Sequence, residues 1–273
     1  MKEALQTAVR EALESGKALA AVILVEKDGE LMPRLVTKPD DPAIGSLYSG
    51  DRRYPTASFV VMLQPVITGD IAVPVRECDR RMLFELAKRN QVDLERLVLL
   101  GTPCTQEVAD ACGCDHPFTA NGISVAPAAA KPAASSPPPE AVSEDPEERL
   151  AFWMDAFSRC IKCMGCRNVC PMCFCNDCAL DNLDYVGVDS KPPDIPIFHL
   201  IRAVDMADRC VDCGMCEAIC PAEIPLRQLY RQVRDIVKEA YGYEPGISEE
   251  KSPIEMFGEP TELAGMQEGF HTD

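Results

Sequence analysis

Residues 160–171 read CIKCMGCRNVCP, and fifty positions later residues 210–221 read CVDCGMCEAICP. Each run sets three cysteines two residues apart, then a fourth after three more, directly before a proline. Any fold of this chain must gather eight thiols into two tight loops, and no other feature constrains it as much. The chain has 15 cysteines in all. Its first residues, MKEALQTAVREALESGK, have the pattern of a charged amphipathic helix rather than an export signal. In a reducing cytosol a disulfide framework is not expected, so metal binding becomes the leading reading. A structural zinc site pairs two CxxC or CxxC/His knuckles around one tetrahedral ion, which needs neither the third evenly spaced thiol nor the following proline.

The repeated spacing is similar to the ligand run of two-cluster bacterial ferredoxins. Three thiolates on a tight turn wrap three irons of one cubane, and the displaced fourth points to the other cluster. One 4Fe–4S cluster then takes Cys160, Cys163, Cys166 and Cys220, and the other takes Cys210, Cys213, Cys216 and Cys170. With four thiolates for each cluster, no iron needs an open position, which favours electron transfer over substrate chemistry. Between Cys170 and Cys210 lie 39 residues with a helical pattern. In this the region resembles the all-helical dicluster ferredoxin of iron–sulfur subunits in respiratory and heterodisulfide-reductase enzymes.

Hydrophobic periodicity divides the chain. Residues 1–125 read as an α/β domain: a first helix, two strands (ALAAVILVEK and ELMPRLV) joined at Asp28-Gly29, then DIAVPV as strand, DRRMLFELAKRN as helix and LERLVLLG as strand. In that helix Met82, Leu83, Leu86 and Ala87 share an apolar face. Residues 40–56 read as a loop, and SFVVMLQPVI has no assignable period. Residues 126–146 are nearly all Ala, Pro and Ser and read as a linker. Residues 147–245 read as an all-α domain. Its first helix is capped by Asp145, with Pro146 at the first position and Glu148 at the capping-box position, and carries the stripe Leu150, Trp153, Met154 and Phe157. A second, about 197–209, carries Leu200, Ile201, Val204 and Ala207; a third runs from Pro225 to near Gly242. Residues 246–273 read as an acidic tail or docking segment.

Seven cysteines remain. Cys173, Cys175 and Cys178 form a CxCxxC group for a further cluster or a zinc ion, with a fourth ligand from His199, an acidic side chain or the other domain; the alternative is spare reduced thiols. Cys104, Cys112 and Cys114, with Cys78, form the N-terminal group. VRECDRRMLFELAKRNQ followed by LVLLGTPC resembles the beta subunits of coenzyme F420-dependent hydrogenases and formate dehydrogenases. That resemblance implies a cluster on Cys104, Cys112 and Cys114 beside a flavin. The domain is short and has no glycine-rich phosphate loop, so a flavin is not expected. From Arg159 through the third helix, the motifs CMGCRNVCPMCFCNDC, FHLIRAVDMADRCVDCGMCEAICP and IPLRQLYRQV resemble dicluster iron–sulfur subunits accompanying hydrogenases, formate dehydrogenases and heterodisulfide-reductase-like complexes in anaerobes.

What the resemblance implies is a cytoplasmic, oxygen-sensitive electron-transfer subunit of a multi-subunit oxidoreductase, relaying single electrons through two 4Fe–4S clusters to and from other subunits. Arg159, Lys162, Arg167 and Arg209 lie beside the ligands, where they stabilise the reduced clusters, are solvated or meet acidic partners. The alternative is a flavin- or deazaflavin-linked dehydrogenase subunit with its own substrate site in the α/β domain. A third possibility is a zinc-holding structural or regulatory protein. The net charge of −17, concentrated in the second half, argues against nucleic acid and anionic lipid as partners. No apolar run is long enough to span a bilayer.

Overall fold

In the computed structural model, which describes residues 2–114, 116, 123–124, 143, 145–175, 177–182 and 194–256, the chain opens on α1 (Lys2–Glu14), with Leu5, Val9 and Ala12 buried along one face. β1 (Ala20–Lys27) and β2 (Glu30–Val36) form an antiparallel hairpin. Asp28 and Gly29 both take positive φ, 54° and 82°, as a two-residue turn of this hand requires. The stretch without assignable period supplies α2 (Thr56–Leu63). β3 (Ile71–Val75), α3 (Glu77–Lys88) and β4 (Leu97–Gly101) complete the expected crossover, with β3 and β4 parallel. Leu94–Arg96 is a 3-10 turn rather than the start of that strand.

α4 (Gln106–Cys112) ends at Gly113, and β5 (Ile123–Ser124) closes a five-stranded sheet of order β2-β1-β3-β4-β5. β2 is antiparallel to its neighbour and the other pairs are parallel, so this half is α/β. Strand alternation separates two faces. Ala21, Ile23, Val25 and Ala72 pack with α1 on one, while Val22, Ile71, Val73 and Val75 meet α2 and α3 on the other.

After residue 124 no strand occurs among the described residues. α5 (Pro146–Ser158) is capped by Asp145, whose carboxylate accepts from the Glu147 and Glu148 amides. Ser143 inserts into the expected capping box: its hydroxyl donates to Glu148 at 2.6 Å and accepts from the Asp145 amide at 3.1 Å. Short α6 (Gly165–Asn168), α7 (Asp194–Met206), short α8 (Met215–Ala218), α9 (Leu226–Tyr241) and short α10 (Pro253–Met256) follow. The expected linker lies almost wholly outside the described residues, as do residues 257–273 of the expected tail. No helix among the described residues is long and apolar enough to cross a membrane.

One apolar core runs through both halves: Val73, Met82 and Leu86 belong to the same cluster as Trp153, Phe198, Met206, Met215 and Tyr230. The segment after α9 strengthens this joint. It folds back along α3, whose Glu77, Arg81, Glu85 and Arg89 are buried at four-residue spacing. Glu85 accepts from the Tyr243 hydroxyl at 3.0 Å and the Gly246 amide at 2.6 Å, and it also pairs with Lys88 and Arg89. Arg89 reaches across to Asp208 at 3.0 Å, and Ser252 donates to the same carboxylate at 2.6 Å. Residues 246–252, read from sequence as part of a tail, thus carry part of the seam.

Candidate metal centres

The two cysteine runs have the same backbone. Lys162 and Asp212, each just before the second cysteine, take positive φ (53° and 59°), and so do Met164 and Gly214 after it (61° and 72°). These left-handed residues curl each loop so that successive thiols face inward, and α6 or α8 then carries the third cysteine. The first cysteine of each run is held by the helix before it, Cys160 N–H donating to the Phe157 carbonyl and Cys210 N–H to that of Met206, both at 3.0 Å. Gly214 has a further reason to lack a side chain: a Cβ there would collide with the Arg53 guanidinium.

Cys160, Cys163, Cys166 and Cys220 line one hollow, together with Phe198, His199 and Ile224. Cys170, Cys210, Cys213 and Cys216 line a second, with Met206, Met215 and Tyr230. The fourth cysteine of each run therefore faces the hollow of the other. Burial pushes the thiols of Cys160, Cys166 and Cys210 upward, and that of Cys216 to about 12. In such surroundings thiolates form only against compensating positive charge, which bound iron supplies. Among the described residues no three His, Cys, Asp or Glu side chains converge closely enough to hold a single metal ion. Each hollow is lined by four thiols, the number of ligands a cubane takes.

Cys173, Cys175 and Cys178 border a third hollow with Arg167, Arg202 and Asp205. His199, considered as their fourth ligand, lines the first hollow instead. Arg202 is almost fully buried and donates to Cys173 Sγ at 2.8 Å and to the Cys166 carbonyl at 2.7 Å. It thus touches both the third cysteine group and the first run. Arg167 is paired with Asp181 at 2.5 and 2.6 Å, and Arg209 with Asp208 at 3.3 Å.

In the N-terminal half Cys78 and Cys104 line a cleft of about 280 Å³ at the carboxyl ends of β3 and β4, shared with Arg53, Arg76 and, from the second run, Cys213. Arg53 donates to Cys112 Sγ at 2.9 Å and also to the Cys213 carbonyl. The Cys112 thiol is lowered to about 5, chiefly by a hydrogen bond with Cys114, against the effect of burial and helped by Arg53 and Arg227. Cys114 is buried, with Arg81 at 3.9 Å. A second clamp joins this group to the second run. Arg227 and Arg231 both grip buried Asp212, at 2.6 to 2.9 Å, and both also donate to the backbone of the Cys112–Gly113 turn. Asp115 and residues 117–122, which follow Cys114, lie outside the described residues.

Sequence reasoning missed Arg53, Arg202, Asp212, Arg227 and Arg231. The four-residue spacing of Arg227 and Arg231 on one helix was a usable signal; Arg53 had none, because its partners are 59 and 160 residues away.

A family model described as a 4Fe-4S binding domain matches residues 157–173 and 207–230. The F420-dependent formate dehydrogenase subunit beta of Methanocaldococcus jannaschii is 38% identical over 112 residues, covering 41% of this chain and 29% of its own length. The F420-dependent formate dehydrogenase 1 subunit beta of Methanococcus maripaludis is 45% identical over 110 residues, covering 40% of this chain and 28% of its own length. The chain thus spans less than a third of the length of these curated relatives.

Proposed function

We propose that this protein is an electron-transfer subunit of a multi-subunit, formate dehydrogenase-like oxidoreductase, with an all-α dicluster ferredoxin domain joined to its α/β half. One 4Fe–4S cluster is held by Cys160, Cys163, Cys166 and Cys220, and the other by Cys210, Cys213, Cys216 and Cys170. The observation that carries this reading is the crossed lining of the two hollows. Such clusters supply one-electron redox chemistry, with potentials set by hydrogen bonds, charge and solvent exposure. The protein's own contribution is geometric: the shared core holds two hollows side by side, bridged by α6 and α8. Other subunits of the complex, cytoplasmic and anaerobic like it, would deliver and remove the electrons.

A third cluster on Cys78, Cys104, Cys112 and Cys114 extends this reading, supported by the Arg53 link between Cys112 and the second run. Cys173, Cys175 and Cys178 offer a further metal position. Iron and acid-labile sulfide, counted on anaerobically purified full-length protein, test these assignments. About eight iron per chain is expected from two cubanes and about twelve from three. If twelve are found, Cys104→Ser lowers the count for an N-terminal cluster, and Cys175→Ser lowers it for the other position. Colourless protein with zinc and no sulfide contradicts the cluster assignment.

One observation favours the alternative dehydrogenase reading: the arginine-lined cleft sits at the carboxyl ends of parallel strands, where α/β sheets bind ligands. Flavin absorbance in the purified protein, or deazaflavin turnover by the isolated chain, would select it.

A further inference from the structure

His199 lies in the middle of α7 at 1% exposure, and among the described residues neither of its ring nitrogens has a hydrogen-bond partner. Buried imidazoles normally satisfy at least one nitrogen, because an orphaned polar group forfeits its hydration for nothing. The ring cannot swing outward to find water. It is stacked on Phe157 at 4.4 Å and 10°, and Phe198 meets its edge at 5.1 Å and 83°. If packing alone mattered, phenylalanine would fill this aromatic slot without the polar cost. The ring is instead a lining side chain of the hollow formed by Cys160, Cys163, Cys166 and Cys220. An imidazole in either charge state has at least one N–H to give.

We propose that His199 donates an N–H hydrogen bond to a sulfur of the cluster held by Cys160, Cys163, Cys166 and Cys220 and so raises its reduction potential relative to the same site without the donor. The inference rests on the cluster assignment above and adds a tuning residue to it. A donor aimed at cluster sulfur stabilises the more negative reduced state more than the oxidised one. His199 is not a ligand, since four thiols already surround that hollow.

The test is a redox titration of full-length, anaerobically reconstituted protein followed by electron paramagnetic resonance. Cys163→Ser identifies which of the two signals belongs to this hollow. His199→Phe keeps the stack on Phe157 and removes the donor, whereas His199→Gln keeps an N–H. We expect His199→Phe to weaken reduction of that cluster about tenfold, equivalent to 59 mV for a one-electron couple. The other cluster should keep its potential, and His199→Gln should recover much of the difference. On the unaltered protein, labelled histidine nitrogen should show a hyperfine coupling to this cluster, a readout that does not depend on any variant folding. Two intact clusters with no such coupling, or with His199→Phe titrating at the wild-type potential, would overturn the proposal. Failure of the wild-type protein to bind clusters would instead remove the reading beneath it.

Discussion

Cys220→Ser, a substitution in the second cysteine run, is expected to destroy the same cluster signal as Cys163→Ser in the first run. The signal altered by Cys213→Ser should persist. The reason is the crossed arrangement, in which Cys220 faces Cys160, Cys163 and Cys166 while Cys170 faces Cys210, Cys213 and Cys216. Serine is a poor match for iron that prefers thiolate, so each variant should lose up to about four of the eight irons of the paired sites. Coupled electron transfer through the assembled complex should fall to background in both, because neither cluster bypasses the other. Anaerobic spectroscopy of the three variants decides the matter. If Cys220→Ser altered the signal that Cys213→Ser alters, each run would be holding its own four ligands and the crossing would be wrong.

Asp212→Ala should cost about 3–5 kcal/mol of stability, the range for breaking a buried ion pair by removing one partner. Its side chain is 2% exposed and receives two hydrogen bonds from each of Arg227 and Arg231. Without the carboxylate, two guanidinium groups stay in a poorly hydrated site with no counter-ion between them. The same arginines hold the Cys112–Gly113 turn, so loss of Asp212 should also loosen the N-terminal cysteines from the second run. Denaturant midpoints of the holo-protein, compared with Asp212→Asn, measure the effect. Asparagine keeps the shape and part of the hydrogen bonding and should fall between the two. A loss below about 1 kcal/mol for the alanine variant, the scale of an exposed pair, would mean that solvent already screens the site.

Local signals were legible in the sequence wherever the chain decides its own conformation. Asp28-Gly29 can only be a tight turn, and Asp145-Pro146 opens a helix whatever lies nearby, so the hairpin and the start of α5 were readable. Periodicity found the later helices but not always the inward face. On α7, Leu200 and Val204 fit an apolar stripe, yet they are 63% and 61% exposed. Ile195, Phe198, His199, Arg202 and Met206 turn inward instead, because the cysteine hollows claim that side. Leu150 and Met154 on α5 are likewise exposed, while Trp153 and Phe157 are buried.

The charged row of α3 was hidden for a related reason. Glu77, Arg81, Glu85 and Arg89 are charged at four-residue spacing, and what buries them is a segment some 160 residues later that covers and pairs with the row. Cysteine spacing announced the two main groups, since it is a local pattern with a chemical cause. The arginines that tie those groups to the α/β half are a tertiary matter, and a one-dimensional pattern does not carry it.

The central claim is that two clusters lie side by side within one core, bridged by exchanged ligands. It is tested most directly by the electron paramagnetic resonance spectrum of the fully reduced protein. At least two spins per chain are predicted, those of the paired sites with lines broadened or split by their mutual interaction, and that interaction should vanish in either Cys163→Ser or Cys213→Ser. A fully reduced spectrum that is a simple sum of two isolated centres, or that integrates to a single spin, would contradict it.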